Sequence, residues 1–240
     1  RQLVWILVLL CFFSSMAVTN DVALITFVPF TFTVLDLIGP EARKRLTVPI
    51  VVLQTVAANL GSMLTPIGNP QNLYLYGRAR LSLGAFLLLM LPYTCVSFLL
   101  MMLWSTVQSR AYNVPVEVSF REEIRLDRKK AQLAGYLVLF ALDLLTVARV
   151  IPYGLALLLT VAGLLVLDRS IFARVDYSLL LTFVGFFMFI GNMGRLPVFY
   201  EFLQKIVSGH ELLAGAAASQ VISNVPAALL SGFTENLTPL

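Results

Sequence analysis

Charge is what this chain of 240 residues has least of: Asp, Glu, Lys and Arg together make up 12 % of it, against 59 % apolar residues. A soluble domain carries about 25 % charged residues to cover its surface, so the composition excludes that class and indicates an integral membrane protein. Period-two alternation over ten-residue blocks is also missing, which argues against a β-barrel. Cysteine is scarce: Cys11 and Cys95 lie far apart inside apolar runs, without metal-ligand spacing, and each reads as a buried structural thiol. The one histidine, His210, stands beside Glu211 in a connecting segment and reads as solvated. No Ser/His/Asp set or His-rich motif occurs, and Gly68-Asn69-Pro70 lacks the lysine of a phosphate-binding loop. No cofactor is expected beyond a coupling ion, sodium or a proton. The isoelectric point near 9.2 does not require nucleic acid, because the basic residues fall in short segments between apolar runs, where membrane orientation explains them.

What is present is a series of apolar helical runs: Leu3–Val18, Val22–Ile38, Thr47–Asn59, Leu83–Val107, Ala131–Val147, Tyr153–Leu167, Tyr177–Met193 and Leu212–Leu230. Such runs suit helices crossing a hydrocarbon core of about 30 Å. A polar loop at 108–130 separates the first part, 1–107, from the second, 131–240, and its Arg121–Lys130 stretch reads as a solvated surface helix. Val198, Phe199, Phe202, Leu203, Ile206 and Val207 recur at helical spacing beside Glu201, Gln204 and Lys205, the pattern of a short helix lying in the membrane interface. The chain opens at Arg1 directly into an apolar run and stops at Leu240, which reads as a segment of a longer protein.

Two apolar regions are interrupted by polar tips. Thr19-Asn20-Asp21 separates the first two runs, and Ser223-Asn224 interrupts the last. Placing Thr19 opposite Ser223 aligns Ser15 with Ser219, Asn20 with Asn224 and Ala23 with Ala227, while Val225 stands where the first tip has Asp21. A carboxylate inside an apolar phase costs about 2.5–3.5 kcal/mol on insertion scales, so Asp21 marks a pathway or site, with helix capping at a water-exposed tip as the plainer reading. Asp143, close to Arg149 and a helix end, reads as a snorkelling or paired interfacial acid. Gly185 and Gly191 read as positions of close helix packing.

After Asn59 the chain reads Asn59-Leu60-Gly61-Ser62-Met63-Leu64-Thr65-Pro66-Ile67-Gly68-Asn69-Pro70-Gln71-Asn72, and its glycines and prolines break any helix there. If the chain resumes and exits on the opposite side, the 17 basic residues divide 12 against 5 between the two membrane faces; if it turns back, they divide 9 against 8. The positive-inside rule selects the broken crossing helix and a cytoplasmic 108–130 loop, with Trp5 and Trp104 near the cytoplasmic interface. An odd number of crossings then lies between the two tips, so they enter from opposite faces and the halves are inverted. The expected architecture is an all-α polytopic membrane protein with inverted repeats, re-entrant helical hairpins and a broken transmembrane helix. Helix ends inside a membrane expose carbonyls that hold a small cation and N–H groups that hold an anion.

Thr19-Asn20-Asp21-Val22-Ala23, Thr65-Pro66-Ile67-Gly68-Asn69-Pro70-Gln71-Asn72, Asp176-Tyr177-Ser178-Leu179-Leu180-Leu181 and Ser223-Asn224-Val225-Pro226-Ala227 resemble the ion-transporter superfamily. That group includes arsenite permeases, sodium–proton antiporters and citrate or dicarboxylate carriers, and the likeness is greatest to bacterial anion permeases of the arsenite-permease type. The resemblance implies an elevator-like secondary transporter with substrate and coupling ions held between two tips. It places Thr19, Asn20 and Asp21 at the first tip, Asn59, Thr65, Gly68, Asn69 and Asn72 along the helix break, and Ser223 and Asn224 at the second tip. The dicarboxylate carriers have a hydroxyl residue after the Asn, where this chain has Asp21 and Val225; that departure disfavours their sodium site and leaves proton coupling open. The resemblance also implies a homodimer and a second broken helix after Leu240. The expected function is transport of a small anion across the cell (inner) membrane, coupled to protons or sodium, by a multi-pass protein whose partners are the lipid bilayer and the substrate. Alternatives are a sodium–proton antiporter without an anion site, an intramembrane enzyme, and a structural subunit.

Overall fold

A computed structural model of the chain describes residues 2–110, 130–193, 195–222 and 224–229. All regular elements among the described residues are helical. They are α1 (Gln2–Ala17), α2 (Asn20–Ile38), α3 (Pro40–Ser62), α4 (Pro70–Ala79), α5 (Leu83–Arg110), α6 (Lys130–Val147), α7 (Tyr153–Leu167), α8 (Tyr177–Met193), α9 (Pro197–Val207), α10 (Glu211–Ile222) and α11 (Asn224–Leu229). Short 3₁₀ turns occupy Pro66–Gly68 and Arg169–Arg174. The chain divides into two compact units, residues 1–76 with 81–123 and residues 77–80 with 124–240. The Arg121–Lys129 part of the expected surface helix lies outside the described residues.

In the first unit α1 and α2 form a hairpin, and α3 doubles back along α2. Gly39 makes the α2–α3 corner at φ 124°, a conformation that side chains rarely allow. Contacts fix the directions: Asn20 meets Asn59, Thr31 meets Gln54 and Arg43 pairs with Asp36, so α2 and α3 are antiparallel. Met16 meets Thr65 and Leu7 meets Gln54, so α1 and α3 run the same way. Val4, Leu7, Val8, Cys11 and Phe12 form the buried stripe of α1, at the spacing of one helix face. It packs on Leu46, Ile50, Leu53, Ala57 and Ala58 of α3, with Leu35 of α2 and Met101 of α5. Phe12 and Phe13 stack near Phe98 of α5, with centroids 5.3 and 5.7 Å away. A crevice of about 390 Å³ joins Gln2, Trp5 and Ile6 at the start of α1 to Thr106 and Ser109 at the end of α5. The start of α1 therefore lies beside the end of α5, and these two helices are antiparallel.

The outer surface is apolar: Leu88, Val96, Leu99, Leu100 and Leu103 of α5 are all exposed. That inversion of the soluble pattern suits contact with lipid. Asn20–Ile38 and Leu83–Ser109 are long and apolar enough to cross a membrane, whereas α1 and α7 are shorter apolar helices. Cys11 is buried as expected, but Cys95 is exposed on α5.

The third helix starts at Pro40, ahead of the expected Thr47. Pro at the first turn has its φ preset, and Glu41 there suits the positive helix end. Arg43, Lys44 and Arg45 consequently sit on the first turns of a helix rather than in a loop. Charge had hidden this segment from a search for apolar periodicity.

In the second unit α6 and α7 pack through glycine: a Cβ on Gly135 would meet Leu167 at 2.7 Å, and one on Gly163 would meet Leu139 at 2.8 Å. Among the described residues a Cβ at Gly185 would meet nothing within 4 Å, so no packing contact is seen there; the surroundings of Gly191 lie outside the described residues. Asp143 is exposed and accepts a hydrogen bond from Thr160 Oγ1 at 3.0 Å. Asp168 ends α7 and accepts from the Ser170 hydroxyl and N–H, which hold its carboxyl below the ordinary value of 3.8. The expected interfacial segment is the helix α9, with Val198 and Phe202 exposed. His210 is exposed in the turn before α10.

At Gly61 α3 comes so near α1 that an added Cβ would lie 2.0 Å from the Phe12 carbonyl oxygen. Replacing Gly61 with Ala is expected to destabilise the protein by about 1–3 kcal/mol, the usual cost of overpacking. Gly77, with nothing within 4 Å of its Cβ position, is the control. Thermal unfolding of both variants in detergent measures the difference.

Candidate functional site

Ending a helix at the first tip leaves backbone groups without intrahelical partners. Thr19 meets part of that demand as the N-cap of α2: it is extended, and its Oγ1 accepts the Val22 N–H at 3.3 Å. Asn20 is the first residue of α2, and its Nδ2 donates to Asn59 Oδ1 at 3.1 Å. Asn59 in turn donates from Nδ2 to the Thr55 carbonyl at 2.8 Å, which fixes its orientation on α3. Asn20 Oδ1 is buried and has no hydrogen-bond partner among the described residues. Asp21 is exposed in the first turn of α2, where the positive helix end favours a carboxylate.

The break after α3 closes on itself through side chains. Thr65 Oγ1 donates to the Met16 carbonyl at 2.6 Å, so the break is fastened directly to the end of α1. Ser62 Oγ donates to the Asn59 carbonyl and accepts from Asn69 Nδ2 at 3.1 Å. Asn69 Oδ1 accepts the Asn72 N–H at 3.0 Å, so Asn69 caps the start of α4. Asn72 Nδ2 lies 3.2, 3.1 and 3.1 Å from the carbonyl oxygens of Ser62, Met63 and Thr65. Gly68 is required where it stands, because a Cβ would fall 1.9 Å from the Ser62 carbonyl oxygen.

Two groups of the expected residues therefore meet in the first unit. Thr19, Asn20, Asn59 and Thr65 lie along the seam between tip and break, partly open to the outside. Gly68, Asn69 and Asn72 are buried within the break and occupied by its internal bonds. Asn224 is exposed at the first position of α11, and Ser223 lies outside the described residues. At the positions aligned in sequence, Ala23 and Ala227 are both buried. Ser15 and Ser219 both bond the carbonyl three residues earlier, Phe12 at 2.9 Å and Ala216 at 2.7 Å.

Sequence reasoning missed Ser62 and Gln54, both fully buried. Ser62 carried a faint signal as the hydroxyl inside the glycine- and proline-rich string. Gln54 carried a clearer one, an amide in the middle of an apolar run. Asn72→Ala should leave up to three carbonyls short of a donor and cost about 1–3 kcal/mol. Limited proteolysis after Ser62 is the measurement, with faster cleavage than in the parent expected.

Comparison with known proteins places these elements in a lineage. The profile of the citrate transporter family matches residues 1–234, and the chain belongs to that family. Inner membrane protein YbiR of Escherichia coli is 30 % identical over 235 residues, covering 96 % of this chain and 60 % of that protein. An uncharacterized transporter of Methanocaldococcus jannaschii is 29 % identical over 238 residues, covering 98 % and 62 %. The magnetosome protein MamN of Magnetospirillum gryphiswaldense is 25 % identical over 230 residues, covering 86 % and 51 %. The chain thus spans about three-fifths of the first two relatives. No solved structure matches it significantly. The family is one of multi-pass membrane transporters, which removes the intramembrane-enzyme alternative.

Proposed function

We propose that this member of the citrate transporter family forms the core of a secondary active transporter that moves a small anion, coupled to protons or sodium, by elevator-like alternating access. The observation that carries the reading is the seam between tip and break, where the buried Asn20 Oδ1 has no partner among the described residues. A buried amide oxygen left unpaired costs about 1–3 kcal/mol, a cost that a cation would offset. Hard oxygens of Thr19, Asn20, Asn59 and Thr65 suit an alkali ion, and the free N–H groups of α2 suit an anionic substrate. In this reading Asp21 is the titrating or cation-coordinating carboxylate, while Gly68, Asn69 and Asn72 hold the shape of the break behind it. Ser223 and Asn224 supply the corresponding contacts from the second repeat.

Depth supports a re-entrant hairpin. Phe12 lies level with Phe98 on antiparallel α5, so continuing to the tip at Val18 reaches the level of Pro92. The start of α5 at Leu83 is about 14 Å farther on at 1.5 Å per residue, which leaves the tip well inside the span of α5. The broken helix reads as a crossing one for the same reason: the chain leaves α3 at tip level and enters α5 from the far end. The shared Ser/Thr-Asn tips and the matching Ser15 and Ser219 bonds to the carbonyl three residues earlier support paired hairpins in inverted repeats.

The sodium–proton antiporter without an anion site stays as the second reading, favoured by the exposure of Asp21. Flux into proteoliposomes holding the complete protein separates the two: anion uptake driven by a sodium or proton gradient supports the first, and sodium-driven proton movement without any anion the second. Asp21→Asn should lower coupled flux at least about tenfold, equivalent to 1.4 kcal/mol of lost interaction. Unchanged coupled flux in a correctly inserted variant would remove Asp21 from the mechanism.

A further inference from the structure

In the core of the first unit, about a turn and a half before Asn59, α3 carries Gln54, a neutral amide with no exposed surface. Its surroundings are apolar: Leu7, Leu35, Ile50, Leu53 and Ala57 belong to the same buried cluster. A primary amide is tolerated in such a place only when its polar atoms are bonded. Gln54 Nε2 reaches the Leu7 carbonyl of α1 at 3.4 Å, and its Oε1 lies 3.1 Å from Thr31 Oγ1 of α2, whose single proton is shared with the Phe27 carbonyl at 2.9 Å. Thr31 has no exposed surface either. One side chain thus joins all three helices that build the tip and the break.

We propose that Gln54 is a positioning residue: its buried amide locks the α1–α2 hairpin to α3 and so sets the register in which Asn20 meets Asn59. The consequence is mechanical. A one-residue slip of α3 along the hairpin shifts Asn59 by about 1.5 Å and rotates it by about 100°, which parts it from Asn20. Apolar side chains alone tolerate sliding among similar packings, whereas an amide bonded to a carbonyl on one helix and a hydroxyl on another has one matching register. The lock is uncharged and sealed from solvent, so it acts on coupling through Asn20 and Asn59 rather than as a ligand. For function this rests on the transporter reading; for structure it stands alone.

The test uses the complete protein in lipid, with accessible cysteines, Cys95 included, replaced and spin labels at Val18 and Met63. The tip-to-break distance distribution is expected to be narrow in the parent and broadened or shifted in Gln54→Leu, which keeps the bulk and removes the bonds. Thr31→Val, which removes only the α2 arm, should show a smaller change in the same direction and serves if Gln54→Leu does not fold. Distributions unchanged from the parent overturn the proposal whether or not any transport is seen. Where coupled flux is measurable, Gln54→Leu should raise the half-saturating coupling-ion concentration about fivefold or more, with the maximal rate less affected. A fall in maximal rate at unchanged half-saturation would refute the functional part and leave the flux assignment standing.

Discussion

Two helix ends are fastened to one another in the first unit, and the rest of that unit is arranged around that fact. The tip of the α1–α2 hairpin and the end of α3 would each expose backbone groups that hydrocarbon cannot bond. The Asn20–Asn59 amide pair and the bond from Thr65 to the Met16 carbonyl bring the two interruptions together, while the break's own groups are bonded within it by Ser62, Asn69 and Asn72. Gly61 makes the approach possible, because any side chain there would strike the backbone of α1. Gly39 returns the chain so that α3 reaches tip level after running the length of α2.

The polar residues of this region do different kinds of work. Asn69, Asn72 and Ser62 are buried and bonded to the backbone, and they shape the break. Asn20, Asn59 and Asp21 stand at or near the open side of the seam. A string such as Thr-Pro-Ile-Gly-Asn-Pro-Gln-Asn therefore serves first to end one helix and begin another without leaving unpaired groups. Ligand chemistry, in the transporter reading, is left to the residues along the rim.

Much of this was legible in the chain itself. Apolar runs located the long helices because lipid-facing segments have few other compositions, and the cluster of prolines and glycines after Gly61 located the break, whereas the single prolines Pro29, Pro49 and Pro92 are carried within helices. The amphipathic segment now seen as α9 was visible from spacing alone. The start of α3 was not, since Arg43, Lys44 and Arg45 look like a loop until Asp36 is seen beside Arg43. The glycine packing positions were also illegible. Gly185 lies in a helix much like the ones carrying Gly135 and Gly163, and only the neighbouring helix decides which of them is a contact. Within the site, the motif named the right segments without separating groups that build the break from groups that face outward. That distinction depends on burial.

The central claim is that tip and break are one coupled structure, joined through Asn20 and Asn59. A double-mutant cycle of Asn20→Ala and Asn59→Ala, read by unfolding of the purified protein, measures that coupling directly. The account predicts an interaction of about 0.6 kcal/mol, the average for hydrogen bonds between membrane helices, with about 1.7 kcal/mol as the ceiling. Strict additivity of the two substitutions, with both variants folded, would contradict it.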